Sequence, residues 1–288
     1  MKILVLGGDG MAGHLMTTYL RESGLDVWSS TRTGVGGERS IAHLIRSESD
    51  VYRVISQVKP NVVVNAIGVL NEHAQHCIAD AIVANSLLPQ WLGKLANQCG
   101  YRLIHISTDC VFRGTTGAYR EADVTDGVGV YAWTKSLGEL GAAPHLTLRT
   151  SIIGPELKST GIGLFHWFMQ QSGFVHGYAC AWWNGVTTLE LAKTVRRLLD
   201  QPVSGLLHLT GVRDMTKLSL LALLQAEFAR EDVVLLPDET KVVNKTLRNT
   251  RADFCPEIAD YPEMLEELHQ WMKQHKTLYE SFYPTCVV

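Results

Sequence analysis

The feature that most constrains this chain is its alternation of short, largely apolar runs with longer stretches of helical spacing. Ile3–Leu6, Asp26–Ser30, Val62–Asn65, Arg102–Ser107, Leu146–Thr150 and Leu206–Thr210 read as strands. Met11–Ser23, Val51–Val58, Ala79–Cys99 and Tyr131–Gly141 read as helices between them, and Arg32–Arg39 as a glycine-rich loop. Runs that are apolar at nearly every position leave no face for water, so they predict a parallel sheet covered by helices on both sides. The expected fold class is α/β, a doubly wound parallel sheet. Beyond Gly154 the rhythm changes, with helical spacing at Leu164–Gln171, Leu189–Leu199, Leu218–Ala229 and Met264–Lys273 and a short strand at Val233–Leu236. We assign residues 1–154 and 184–212 to the sheet domain. Residues 155–183 and 213–288 form a smaller, discontinuous C-terminal lobe.

A chain of 288 residues buries a core of ample size for this architecture. Its net charge of −3 and 19% charged residues give no electrostatic reason to bind nucleic acid or an anionic membrane. The cysteines, Cys77, Cys99, Cys110, Cys180, Cys255 and Cys286, are scattered with no CxxC pair, which favours reduced thiols in a cytosolic protein. The opening MKILVLGG is too short an apolar run for a signal-peptide core, and no later segment approaches a membrane span. The expected location is the cytoplasm.

Gly7, Gly10 and Gly13 form GxxGxxG directly after the first strand and at the start of the first helix. That spacing permits a tight turn and the close approach of a pyrophosphate, which then meets free N–H groups at the positive helix end. The sheet is therefore expected to be a Rossmann fold holding a dinucleotide, with Met11 at the phosphate turn. At the end of the second strand stand Ser29, Ser30, Thr31 and Arg32, with no carboxylate to take a ribose diol. A guanidinium with hydroxyl neighbours suits a 2′-phosphate, so NADP (as NADPH) is the expected cofactor. The competing reading of Arg32 is a solvated loop residue. Asp9 lies inside the turn, where its side chain must point away from an anion.

Ser107-Thr108-Asp109 ends the strand that begins at Arg102, and Tyr131 and Lys135 stand four apart on one helix face. A free tyrosine, with a pKa of about 10, exchanges protons poorly at neutral pH. A lysine ammonium about 4 Å away, at an effective dielectric of about 20, stabilises phenolate by up to roughly 4 kcal/mol. The expectation is a tyrosine with a lowered pKa, while Thr108 holds the substrate oxygen.

With these residues the chain resembles the extended short-chain dehydrogenase/reductase family, and within it the dTDP-4-dehydrorhamnose reductases and related sugar-nucleotide reductases. The likeness rests on Gly7 to Gly13, Asn65-Ala66-Ile67-Gly68, Ser107 to Phe112, Tyr131 to Lys135 with Gly138-Glu139, and Leu148-Arg149-Thr150-Ser151. It continues through Gly185 to Thr188 and Gly205 to Leu209. The resemblance implies a catalytic set of Thr108, Tyr131 and Lys135, with Lys135 also on the nicotinamide ribose and Asn65, Ala66 and Gly68 along the cofactor groove. It implies NADPH-dependent reduction of the 4-keto group of a nucleotide-linked 6-deoxyhexose, in polysaccharide biosynthesis, with Arg149 at the substrate. A homodimer through the Ala79–Cys99 and Tyr131 helices is a further implication. Asn85 matches a recurrent family asparagine, with helix packing as the other reading. The chain departs from the reductase pattern at Cys110, commonly tyrosine, and at Ile152, commonly tryptophan, so a sugar of another configuration is open.

Trp182 and Trp183 are candidates to flank the substrate, with one of them serving as core instead. His73 and His76 resemble a metal pair, but with no third ligand nearby in sequence no metal is expected. Lys217 and Lys245 stand where a basic group is offered to a diphosphate, although solvated surface positions are the simpler reading. Two alternatives compete with the reductase. A sugar-nucleotide 4-epimerase or dehydratase uses the same apparatus, but the second acid that a dehydratase carries after Asp109 is Cys110 here. A non-catalytic regulatory subunit resembling that of methionine adenosyltransferase shares the fold.

Overall fold

The computed structural model describes residues 1–32 and 38–287; the interior of the Arg32–Arg39 loop lies outside them. A seven-stranded parallel sheet organises the chain, built from β1 (Lys2–Leu6), β2 (Asp26–Thr31), β3 (Ser40–Ala42), β4 (Val62–Asn65), β5 (Arg102–Thr108), β6 (Leu146–Thr150) and β7 (Gly205–His208). Its order is β7-β6-β5-β4-β1-β2-β3, and every pairing is parallel. The chain winds outward in both directions from β1 and β4, so the crevice at the carboxyl ends of these two strands is the topological switch point.

The strand side chains alternate between two cores, as the pleat requires. Ile3, Val5, Val62, Val64 and Ile104 enter one, together with α1 (Met11–Glu22) and α5 (Thr188–Leu199). Leu4, Leu6, Val63 and Leu103 enter the other, with α2 (Glu48–Val58) and α3 (Leu88–Cys99). The strand β3 has no counterpart among the predicted elements. Three residues with only Ile41 buried are too few to show a hydrophobic period.

The helix expected over Ala79–Cys99 is interrupted. Ile82–Leu87 is a π-helical turn between a short helix and α3. Pro89 has no N–H to return to the carbonyl of Asn85, and that loss accounts for the wider turn. The Asn85 carbonyl instead lies against Gly138, where an added Cβ would stand 1.9 Å from it. The helix expected over Tyr131–Gly141 is shorter for the same reason: α4 spans Val130–Leu137 and ends as the chain meets this contact.

Outside the sheet, Gly173–Tyr178 pairs with Val233–Asp238, and Ala181–Trp183 lies between Met215–Thr216 and Val243–Asn244. α6 (Lys217–Glu227) and α7 (Tyr261–Gln274) accompany them. The six cysteines are free, and no helix among the described residues is long and apolar enough to cross a membrane.

Candidate active site

Gly7 leaves β1 with φ +84°, in the left-handed region that favours glycine. Its N–H and that of Gly8 both donate to the Ser30 carbonyl, at 3.1 and 2.8 Å, which folds the turn back over β2. Gly10 caps α1 without a side-chain hydrogen bond, so no side chain takes up the first N–H groups of the helix. A Cβ on Gly13 would fall 1.9 Å from the Gly7 carbonyl oxygen. The Met11 side chain reaches Gly163, where an added Cβ would stand 2.4 Å from its terminal carbon. Backbone N–H groups brought this close to a surface without side chains fit a pyrophosphate. Arg32 is exposed at the end of β2, beyond buried Ser29 and Ser30.

Ala66 and Ile67 border the same crevice, since a Cβ added at Gly7 would come within 3.3 Å of both, whereas a Cβ added at Gly68 would meet Oδ1 of Asn85 at 3.6 Å. Asn65 does not offer its side chain to this groove. It is fully buried, accepts from the Ile67 N–H at 3.2 Å and donates to Nδ1 of His105 at 3.1 Å. Asn85 is also buried; it clamps the backbone of Val69 at 2.8 and 2.9 Å and donates to the Thr134 hydroxyl at 3.0 Å. Its amide thus joins the loop after β4 to α4, and a π turn is a common means of aiming a side chain at a functional site.

Thr108 ends β5 with its hydroxyl accepting from the Cys110 N–H at 3.1 Å. The same hydroxyl donates to Oδ1 of Asp109 at 3.1 Å and lies beside the phenol of Tyr131, where it favours the phenolate against burial. The expectation of a lowered tyrosine pKa is not met. Burial, reinforced by Cys110 and Asp109, holds the phenol above the ordinary tyrosine value. The lysine is turned elsewhere: Lys135 is buried, donates to the Ile106 carbonyl at 2.7 Å and lies 3.4 Å from Nε2 of His105. Burial pushes its ammonium down to about 8, against the opposing pull of Glu139. The arrangement therefore presents a phenol that keeps its proton at neutral pH beside a hydroxyl, and a proton donor to a carbonyl oxygen needs that proton.

Two further lysines face this centre. Lys217 and Lys245, simplest to read as solvated, are half-buried and oppose the burial of Asp109. Burial pushes Lys217 down to about 8. Its ammonium stands 4.7 Å from the centre of the Trp183 ring, and Asp109 is held above the usual carboxylate range. No spacing in the sequence signals this cluster, because β5, the start of α6 and the strand at Val243–Asn244 meet only in the fold.

Arg149 is not presented to a ligand. Its guanidinium is buried, bonds both carboxylate oxygens of Glu139 at 2.7 and 2.6 Å, and lies 3.3 Å from His208. Ser107 donates to the same carboxylate at 2.7 Å, so this is a brace across β5 and β6. Trp183 is core, 2% exposed, with its indole N–H on the Ser151 hydroxyl at 2.7 Å. Trp182 is 43% exposed and is the tryptophan open to a ligand. His73 lies with Cys77 and Asp80, not with His76, their polar side-chain atoms within 4.8 Å of one another; His73 and Asp80 are exposed and Cys77 is half-buried.

Residues 1–263 match the RmlD substrate binding domain family. A dTDP-4-dehydrorhamnose reductase from Aggregatibacter actinomycetemcomitans is 31% identical over 52% of this chain, and the match spans about half, 51%, of that relative. A dTDP-4-dehydrorhamnose reductase from Salmonella typhimurium is 27% identical over 84% of this chain and 83% of its own length. Methionine adenosyltransferase 2 subunit beta from Bos taurus is 25% identical over 88% of this chain and 80% of its own. Among solved structures, a Bacillus anthracis dTDP-4-dehydrorhamnose reductase in complex with NADP superposes with a TM-score of 0.80 at 17% identity, covering 94% of this chain and 99% of that one. Matched from its first residue through the start of α7, the chain belongs to the RmlD substrate binding domain family.

Proposed function

We propose that this protein reduces the 4-keto group of a nucleotide-linked 6-deoxyhexose with NADPH. The observation that carries the reading is the Tyr131 phenol, kept protonated by burial, beside the Thr108 hydroxyl at the carboxyl end of β5, in the same sheet as the glycine turn. The nicotinamide cofactor supplies the hydride that adds to the carbonyl carbon. Gly7, Gly10, Met11 and Gly13 hold its pyrophosphate, Arg32 its 2′-phosphate, Ala66 and Gly68 line its groove, and Lys135 binds its ribose. Thr108 holds the carbonyl oxygen, and Tyr131 delivers its phenolic proton there as the oxygen gains charge. One ketone, one NADPH and one proton give one alcohol and NADP⁺.

Residues 155–183 and 213–288 form the substrate lobe in this reading. Lys217 and Lys245 meet the diphosphate, and Trp182 meets the base or sugar. A homodimer through the Ile82 turn and α4 is supported by Ile82, Trp133 and Leu137, which are 42%, 57% and 68% exposed; light scattering at the eluted peak checks it. The test of function is NADPH oxidation against dTDP-, UDP-, GDP- and CDP-linked 4-keto-6-deoxysugars. Stoichiometric oxidation is expected, with deuteride from labelled NADPH on C4 of the product. Label that stays in the cofactor while the sugar isomerises or loses water assigns an epimerase or dehydratase instead. A second reading is favoured by the alignment to methionine adenosyltransferase 2 subunit beta over 88% of the chain. If no sugar nucleotide reacts or binds and the protein alters another enzyme's activity, it is a regulatory subunit.

A further inference from the structure

His105 lies in the middle of the sheet, paired in register with Asn65 on β4 and fully buried. Its two ring nitrogens have different neighbours: Nδ1 is 3.1 Å from the Asn65 amide and Nε2 is 3.4 Å from the Lys135 amine. The amide orientation of Asn65 is determined by a third group. The Ile67 N–H stands 3.2 Å from it and only donates, so the atom facing Ile67 is the oxygen. The NH₂ of Asn65 then points at Nδ1, which must accept. A neutral imidazole that accepts at Nδ1 carries its hydrogen on Nε2, and that hydrogen points at Lys135. An ammonium has three donors and no lone pair, so it cannot receive this hydrogen. An amine can: it donates to the Ile106 carbonyl at 2.7 Å and accepts from His105.

We infer that His105, with its tautomer set by Asn65 and the Ile67 N–H, is a positioning residue that favours the uncharged amine of Lys135, and so lowers its proton affinity, until a ligand draws the lysine away. The charged group bearing on Lys135 is Glu139 at the end of α4, which favours the ammonium. That carboxylate is already engaged by Arg149 of β6 and Ser107 of β5. Asn85 and Thr134, on the π turn and α4, bring no charge. The lowered lysine value and a His105 value held well below the ordinary histidine range agree with the tautomer argument. This inference rests on the preceding reading only for the identity of the ligand. If that ligand is NADPH, the amine that turns to its ribose takes a proton from solvent onto Nζ, so binding near pH 8 is accompanied by proton uptake.

The test uses the full chain without ligand. Nitrogen NMR of the imidazoles, with His105 assigned, is expected to show the Nε2–H tautomer, and ¹³Cε of Lys135 is expected to titrate near pH 8, about two units below an ordinary lysine. Asn65→Leu keeps His105 and frees its tautomer, so the Lys135 midpoint should rise by a unit or more, a tenfold gain in proton affinity. His105→Phe should do the same, and circular dichroism establishes that each variant is folded. An Nδ1–H tautomer, or a Lys135 midpoint at the ordinary lysine value in the unmodified protein, overturns the inference; both are read without any variant. Calorimetry of NADPH binding in buffers of different ionisation enthalpy is expected to show uptake, and binding without uptake also overturns it. No NADPH binding at all, with the tautomer and midpoint as expected, refutes the cofactor assignment and leaves the role of His105 standing.

Discussion

Replacing Arg149 by leucine separates a brace from a ligand contact. The side chains of Arg149 and Glu139 are 5% and 11% exposed, and two charge-assisted bonds of 2.7 and 2.6 Å join them. Arg149→Leu leaves the Glu139 carboxylate buried with only the Ser107 hydroxyl to hold it. Breaking one partner out of a buried pair costs about 3–5 kcal/mol, a large share of the roughly 5–15 kcal/mol that separates folded from unfolded chains. Replacing both, Arg149→Leu with Glu139→Leu, removes the stranded charge. What remains is a Ser107 hydroxyl without its acceptor, worth about 1–3 kcal/mol. The double variant is therefore expected to be more stable than the single one. Urea denaturation followed by circular dichroism reads both, as a fall in midpoint at constant slope. A loss below about 1 kcal/mol for Arg149→Leu, the range of an exposed pair, would refute the reasoning. An unchanged midpoint with a raised KM would return Arg149 to the substrate.

Three further outcomes are expected. Tyr131→Phe keeps the ring and loses the proton, so turnover on a confirmed ketone should fall by about 10²–10⁴ while NADPH affinity, read by fluorescence titration, is unchanged. Arg32→Ala removes the group offered to a 2′-phosphate, and the preference for NADPH over NADH should fall by roughly tenfold or more, since charge-assisted hydrogen bonds contribute about 1.5–3 kcal/mol. Equal affinity of the unmodified protein for the two cofactors would count against the assignment. His14 is buried beneath the glycine turn and burial lowers its pKa from 6.5 to about 4. The unfolded chain therefore binds a proton that the folded one refuses. Stability is full above pH 6.5 and declines as pH falls towards 4, by about 3 kcal/mol from this residue. His14→Gln should flatten that part of the pH–stability profile measured by thermal denaturation.

The sheet was legible in the sequence because its evidence is local. Val62–Asn65 and Leu146–Thr150 appear in the fold with the bounds that their apolar runs predict, and Gly7, Gly10 and Gly13 mark their turn by spacing alone. Tyr131 and Lys135 were legible as a pair for the same reason, since four residues on a helix bring two side chains to one face. What those side chains touch was not. Lys135 faces His105 and Ile106 because β5 runs beneath α4, and Arg149 meets Glu139 because β6 pairs with β5; neither contact leaves a periodic trace. Ionisation follows the same division. A spacing argument lowers the tyrosine through its lysine, whereas burial raises it once the lysine is turned away. Lys217 and Lys245 come to Asp109 from more than a hundred residues along the chain, where only tertiary packing places them. Residue identity and local period determine which backbone forms; the exclusion of water around particular polar atoms, which decides their charge, belongs to the folded chain as a whole.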